Sequence, residues 1–468
     1  MKHFLAIDLG AESGRAILGT LADGKLSLEE LHRFPNTPVR VTTGLHWDTF
    51  HLFHEIQQGL AVAGRERHLE LDGIGVDTWG VDFGLLGADG ELIANPRHYR
   101  DERNDGMLEK VFAVVPREAV FAETGIQFMQ LNSLYQLYAA KLAGSPGLHH
   151  AKTLLFMPDL LNYWLTGVMK AERTIASTSQ FYDPKRRTWA SGLLGKLGLP
   201  ESILPEIVEP GVKLGNLSGW LQEKCGLKET AVFTSAGHDT ASAVAAVPAT
   251  GDDWCYISSG TWSLMGVEID EPIINEQSLA LNYTNEIGVG GKVRLLKNIA
   301  GLWLLQECKR SWEAEGKNYS YDELTKLATE ARPHVAKIDP DAFLHTGNMP
   351  QRIADWCTEH GQEVPQTTGE FCRVILESLA ERYRQVLENL ESLTGRRINV
   401  IHIVGGGSRN MLLNKLVAEA TGRRVVAGPV EATAIGNILV QALGSGAIKD
   451  LDEGRAVVRA SFEVVEVQ

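Results

Sequence analysis

Apolar residues bunch into two β-rich opening segments, 3–8 (HFLAID) and 15–21 (RAILGTL), separated by the small polar turn LGAESG. So short a connection predicts an antiparallel hairpin and not a strand–helix unit. A third run over 26–33 follows the turn ADGK. Three successive strands argue against a dinucleotide-binding βαβ opening. Behind Asp48, a candidate cap, Phe50, Phe53, Ile56, Leu60 and Val62 recur at near-helical spacing and predict a helix over 48–63. The strand IGVD (74–77) leads into Asp77-Thr78-Trp79-Gly80 and a second hairpin closed by Ala88-Asp89-Gly90. Helical patterns then dominate from about 104 to 200.

The second half restarts with the same device. Strand AVFTS (231–235) runs into Ala236-Gly237-His238-Asp239 and the small-residue helix TASAVAA; CYIS (255–258), the turn Ser259-Gly260-Thr261 and WSLMGV (262–267) form another strand–turn–strand. This predicts two lobes of related plan, with a boundary near 243–250 and domains over 1–245 and 246–468. A long helix over 368–394 opens on a capping box, Thr367 to Glu370, is expected to bury Phe371, Val374, Ile375, Leu379, Tyr383, Val386, Leu390 and Leu393, and stops at Gly395. Strand NVIHIV (399–404), Gly405-Gly406-Gly407, a helix over 410–421, a short strand VVAG and a helical stretch from Ala432 follow.

Composition narrows the function. The 468 residues are 44% hydrophobic and 22% charged, as in ordinary globular proteins, and long enough for a core in each lobe. With 45 basic and 59 acidic residues the net charge is −14, which repels phosphate backbones and disfavours nucleic acid as a partner. A phosphate site must then be local, made of backbone N–H groups, a metal ion or a few placed side chains. The five cysteines show no C-x-x-C spacing, so neither a disulfide scaffold nor a cysteine zinc site is expected. The opening MKHFLAIDLG carries Asp8 inside its only apolar run and is no signal peptide; no stretch is apolar for long enough to span a membrane. A cytoplasmic protein without a membrane partner is expected, as monomer or dimer.

Four segments could carry chemistry, and each has a structural alternative. Asp8 at a strand end, followed by the turn Gly10-Ala11-Glu12-Ser13-Gly14-Arg15, could place N–H groups around a phosphate and a carboxylate near hydrated Mg²⁺, or be a plain hairpin. Ser259-Gly260-Thr261 could serve a second phosphate, or only turn the chain. Gly405-Gly406-Gly407 could admit a nucleotide's base or ribose, or a tight strand–helix crossing; it lacks the G-x-G-x-x-G spacing. His238-Asp239 ends a buried-looking strand, where Asp239 could take a proton from a hydroxyl or cap a helix. Gly19 to Lys25 has P-loop spacing, but Leu26 stands where the metal-binding Ser or Thr belongs, and this is a turn. His149, His150 and His402 lack metal-ligand spacing.

Taken in order, IGVDTWGVDF (74–83), YRDERNDGM (99–107), MPDLLNYWLTG (157–167), GHDTASAV (237–244), SSGTWSLMG (258–266), LKNIAGLWLLQ (296–306) and IVGGGSRNMLLN (403–414) resemble the FGGY carbohydrate kinases over nearly the whole chain. The resemblance implies an α/β, two-lobed actin/Hsp70-like (ribonuclease H-like) ATPase fold with an interlobe cleft. It implies transfer of the ATP γ-phosphate to the 1-hydroxyl of a ketose, L-rhamnulose, with L-fuculose or a conformational ATPase as alternatives. It makes Asp239 the proton acceptor, and Gly80, His238, Asp239, Thr240 and Asn298 contacts to the sugar. Ala11, Glu12, Ser13, Gly14, Arg15, Thr261, Gln306 and Gly406 would contact ATP, and Asp8 would hold Mg²⁺ through water. Trp79 could wall the sugar's apolar face or belong to the core. Glu12 departs from the family pattern, which has a small hydroxyl residue there. Cys357 and Cys372 fall where some relatives have a cysteine pair; free thiols are expected here.

Overall fold

The computed structural model describes residues 1–467, which fall into two compact units. The first is built from Met1–Pro248, Glu268–Leu295 and Ala432–Ser461; the second takes Ala249–Val267, Leu296–Glu431 and the C-terminal residues from Phe462. The compact units are discontinuous in sequence, since Glu268–Leu295 and Ala432–Ser461 group with the N-terminal residues. The cause within the first unit is packing, because the helix Ala432–Gly444 lies against the sheet formed by the N-terminal strands.

That sheet contains β1 (Lys2–Leu9), β2 (Ser13–Ala22) and β3 (Lys25–Pro35). After helix α1 (Thr49–Ala61) come β4 (Gly73–Thr78), β5 (Lys213–Asn216) and β6 (Ala231–His238), from which helix α2 (Asp239–Ala245) follows directly. The strand order is β5-β6-β4-β1-β2-β3. The two expected opening hairpins form, with β1–β2 and β2–β3 antiparallel, while β1–β4 and β4–β6 are parallel. Asp23 and Gly24 both take positive φ between β2 and β3, the backbone of a tight two-residue hairpin, so the segment with P-loop spacing is a turn.

Asp48 caps α1 by accepting from the His51 amide, and Leu52, Ile56 and Leu60 enter the core. Phe50 lies outside that stripe and stacks on Trp164, ring centroids 5.4 Å apart. The hairpin expected around Ala88-Asp89-Gly90 forms but is short: Gly90 takes φ +80°, the Gly87 amide donates to the Glu91 carbonyl and the Ile93 amide to the Leu85 carbonyl, while Phe83–Leu86 pairs along its length with the distant strand Thr153–Phe156. Only an isolated bridge joins Leu86 to Leu92. Leu154, Leu155 and Phe156 are fully buried, so the distant strand brings an apolar partner to Phe83–Leu86.

The second unit repeats the opening plan. β7 (Trp254–Ser259) and β8 (Ser263–Ile269) form an antiparallel hairpin. β9 (Val293–Ile299) passes into this unit after Leu295 and is followed by α3 (Trp303–Ala314). The long helix α4 (Thr368–Thr394) precedes β10 (Val400–Val404) and β11 (Arg424–Ala427), with β7–β10 and β10–β11 parallel. Thr367 caps α4 and Gly395, at φ +66°, ends it. The capping box is half formed, since the Glu370 carboxylate accepts from the Gln366 amide instead of that of Thr367. All five cysteines are buried and free, Cys357 and Cys372 among them. Among the described residues no helix is long and apolar enough to cross a membrane.

Candidate active site

Three neighbouring parallel strands of the first unit, β1, β4 and β6, end at Leu9, Thr78 and His238, and each delivers a carboxylate. Ligands of α/β sheets gather at the carboxyl ends of such strands. Asp8 lies opposite Asp77 in the β1–β4 register and opposite Arg15 in the hairpin, where Arg15 Nη2 is 2.5 Å from Asp8 Oδ2. Asp77 is wholly buried; its Oδ2 accepts from Asn437 Nδ2 at 2.6 Å and its Oδ1 has no partner. Burial above all, then the charges of Asp8 and Asp239, hold its carboxyl well above the usual carboxylate range, against the opposing Asn437 hydrogen bond. Asp77 was not among the expected site residues; the signal for it was an acid ending the otherwise apolar run IGVD.

Asp239 is the first residue of α2, and His238 occupies the cap position, so the helix-cap alternative for Asp239 does not hold. Asp239 Oδ1 accepts from the Thr240 amide at 2.5 Å and the Thr240 hydroxyl at 3.1 Å, and His238 Nε2 lies 3.4 Å away. One carboxylate oxygen is thus anchored, while about a third of the side chain, 32%, is open to solvent. A Cβ built at Gly80 would sit 3.4 Å from His238 Nε2 and from Thr178. The structure therefore brings Gly80, His238, Asp239 and Thr240 together. Asn298 lies on β9 in the second unit, half-buried beside the buried Lys297, whose ammonium is brought down to about 8 chiefly by burial.

The turn leading from Gly80 is strained. Val81, a β-branched residue, has φ +70°, and the Asp82 amide donates back to the Gly80 carbonyl at 3.0 Å. Thr178 Oγ1 accepts from the Val81 amide and Ser133 Oγ donates to its carbonyl, so the surroundings impose the conformation. Asp82 behind it is buried and accepts from both indoles, Trp47 at 2.6 Å and Trp79 at 3.0 Å, and from Gln136 and the Tyr99 amide. Burial still raises its carboxyl to about 6. Trp79 is 5% exposed and packs on Trp47 at 4.0 Å, which makes it a core tryptophan.

Between β1 and β2 the Gly10 amide donates to the Ser13 carbonyl, and Asn36 ties the turn down through the carbonyls of Gly10 and Glu12. Ala11, Ser13 and Arg15 are half-buried and Glu12 is exposed. Gly14 answers to packing, because a Cβ there would come within 2.3 Å of the Phe34 ring; one at Gly10 would meet only Ser13 at 3.5 Å and leaves room for an incoming group. Glu12→Ser removes an exposed charge from this turn and is expected to keep kcat and leave the ATP KM equal or lower. A large fall in kcat would show that the carboxylate is used.

In the second unit the Gly260 and Thr261 carbonyls accept from the Leu302 and Trp303 amides, so the β7–β8 turn is fastened to the start of α3. One turn along, Gln306 carries a buried Oε1 with no partner. Beyond β10, Gly405 has φ +83°, and a Cβ on Gly407 would strike Ser259 Oγ at 2.0 Å. Gly406 has no such internal reason: nothing lies within 4 Å of its Cβ position. Thr261, Gln306 and Gly406 thus sit on three segments that this unit fastens to one another. Gly406→Val is expected to leave Tm unchanged and to raise the ATP KM about tenfold; an unchanged KM would remove Gly406 from the nucleotide site.

The donor set suits a hard cation held mainly by others. Among the described residues no group of three or more His, Cys, Asp and Glu could cage a metal ion. Asp8 offers carboxylate oxygen next to a positively charged Arg15, which fits Mg²⁺ bound through water and substrate phosphates better than a protein cage.

A sheet-end aspartate with one anchored oxygen, and glycine-containing turns at the strand ends of each α/β unit, are of the kind that kinases acting on a hydroxyl use. The chain belongs to the FGGY family of carbohydrate kinases: the model of the family's N-terminal domain matches residues 3–246 and that of its C-terminal domain 255–445. It is an ATP-dependent sugar kinase. Among its relatives, the rhamnulokinase of Bacteroides thetaiotaomicron is 46% identical over 98% of this chain and 94% of that protein. The rhamnulokinase of Oceanobacillus iheyensis is 39% identical over 98% of this chain and 97% of its own length. The fold is shared with a ligand-bound xylulose kinase from Lactobacillus acidophilus, TM-score 0.80 at 15% identity over 98% and 92% of the two chains. A Plasmodium falciparum glycerol kinase with ADP gives 0.78 at 14% over 100% and 94%.

Proposed function

We propose that the protein phosphorylates L-rhamnulose at its 1-hydroxyl, using MgATP and releasing L-rhamnulose 1-phosphate and ADP, in the breakdown of L-rhamnose. The observation that carries the reading is Asp239, whose Oδ1 is anchored by Thr240 while the carboxylate stays partly open at the end of β6. Near-full-length likeness to two rhamnulokinases supports the choice of sugar.

Phosphoryl transfer asks for positioning and charge neutralisation more than covalent chemistry. In this reading Asp239 accepts the proton of the 1-hydroxyl as its oxygen attacks the γ-phosphorus. His238, Thr240, Gly80 and Asn298 hold the sugar. The turn Ala11 to Arg15 meets phosphate with backbone N–H groups and the Arg15 guanidinium, and Thr261, Gln306 and Gly406 hold the remainder of the nucleotide. Mg²⁺ would neutralise phosphate charge, and Asp8 would hold it through water. Five free cysteines suit the reducing cytoplasm.

The test is ADP release by the purified protein with MgATP and, in turn, L-rhamnulose, L-fuculose, D-xylulose and glycerol. The expected result is turnover with L-rhamnulose at a kcat/KM at least about tenfold above the others. Preference for another sugar would overturn the substrate, and ADP release indifferent to every sugar would mark a conformational ATPase.

A further inference from the structure

Behind His238 lies an ion pair that the reaction as derived does not use. Arg294, on β9, is fully buried, and its Nη2 is 3.1 Å from both His238 Nδ1 and Glu286 Oε2. Glu286 Oε2 is itself 3.2 Å from His238 Nδ1, so the three atoms form a near-equilateral triangle. Arg294 Nε donates to the Ile287 carbonyl, and its Nη1 has no partner. On the other side of the imidazole, Nε2 faces Asp239 Oδ1 at 3.4 Å. The remaining charged groups around the ring are Glu172, which accepts from the Gly237 amide, and Asp77, one residue before Thr78, the register partner of His238.

Burying a guanidinium and a carboxylate is costly, and a buried pair stabilises a fold no better than apolar side chains of the same volume. Its placement against an imidazole that touches the proton acceptor gives it another use. The bond made by one ring nitrogen decides which nitrogen carries the proton. Were the proton on Nδ1, it could reach Glu286 Oε2 but would crowd the Arg294 N–H, and the Nε2 lone pair would face the Asp239 carboxylate, two repulsive contacts against one for the other tautomer. With the proton on Nε2, Arg294 donates to Nδ1 and to Glu286 through its two N–H bonds, and His238 donates to Asp239. Although burial alone would raise Glu286, the neighbouring imidazole and the charge of Arg294 hold its carboxyl below the usual range, so it remains the anion that balances Arg294.

We propose, on the footing that Asp239 is the general base, that Arg294 and Glu286 are positioning residues for it: the pair holds His238 with its proton on Nε2, aimed at Asp239 Oδ1. Three donors then converge on Oδ1, the Thr240 amide, the Thr240 hydroxyl and the His238 ring. They fix Oδ1 and leave Oδ2 to take the sugar's proton.

The test is the kcat–pH profile, with MgATP and L-rhamnulose, of the wild type, Arg294→Gln, Glu286→Gln, the double variant and Asp239→Asn. Losing Arg294 frees the ring proton for Nδ1 and turns the Nε2 lone pair toward Asp239. The acid limb should move up by at least about half a pH unit, with kcat at neutral pH down about tenfold and the ATP KM unchanged. Losing Glu286 leaves Arg294 uncompensated, so the acid limb should move down, with a comparable fall in kcat. Opposite shifts are an outcome that a purely structural pair would not produce. Folded single variants whose acid limbs coincide with the wild type overturn the proposal. If the single variants fail to fold, the double variant buries no net charge and is expected to lose at least about fivefold in kcat; a kcat within about twofold of wild type overturns the proposal as well. Inactive Asp239→Asn beside unshifted profiles removes only the positioning role, whereas normal turnover by Asp239→Asn removes the base and this inference with it.

Discussion

Asp239→Asn is expected to lower kcat by about 10²- to 10⁴-fold, the usual contribution of a positioned general base, while the protein stays folded and binds ATP. The amide has the shape of the carboxylate, and its oxygen can still accept from the Thr240 amide and hydroxyl that anchor Oδ1. Its NH₂ group then occupies the place of Oδ2 and cannot accept a proton. Tm should stay within about 2 °C of wild type, because the side chain is partly exposed and no apolar contact is lost. Steady-state turnover gives the main readout and equilibrium ATP binding the control. A kcat within about threefold of wild type would remove Asp239 from the proton-transfer step.

Gly436→Ala should be the most damaging small substitution in the first unit. A Cβ at Gly436 would lie 1.7 Å from the Ser242 carbonyl oxygen and 2.5 Å from its carbon, both backbone atoms of α2. Neither atom can swing aside as a side chain could, so the helix Ala432–Gly444 must part from α2. Overpacking of this kind costs about 3 kcal/mol, expected as a fall in Tm of roughly 5 °C or more. The damage should reach catalysis too, because α2 begins at Asp239 and the next residue on the displaced helix, Asn437, holds Asp77. A Tm within about 1 °C of wild type would show that the two helices can separate without loss.

Much of the local architecture was legible in advance, and for a physical reason. A hairpin turn, a capped helix or a glycine stop is decided by residues within a few positions of one another. Hence the opening strands, the Asp48 and Thr367 caps and the Gly395 stop lie where pattern and turn chemistry put them. The ordered set of short segments, GHD and GGG among them, was enough to place the chain in its family. Long-range contacts were not legible in this way. The strand Phe83–Leu86 keeps a single bridge across its adjacent turn but pairs fully with the distant Thr153–Phe156, and Phe50, spaced like a core residue, ended outside the buried stripe.

Asp77 shows the same division inside the site. Its place at the end of an apolar run could be seen in the chain, but its environment could not. Its hydrogen-bond partner, Asn437, lies 360 residues away. Arg294 likewise drew no notice in the sequence; only the fold sets it against His238 and Glu286. Trp79, open between sugar wall and core, was decided by Trp47 and Asp82.

By itself, then, the sequence determined the kind of protein and the succession of strands and turns, and it singled out Asp239 as a candidate proton acceptor, because these depend on residue type and short-range order. Only the tertiary structure decided how the chain divides into two units, which oxygen of Asp239 is anchored, and which buried charges stand behind it. Those depend on contacts between residues far apart in the chain, where desolvation and close packing, and not local preference, set the energy.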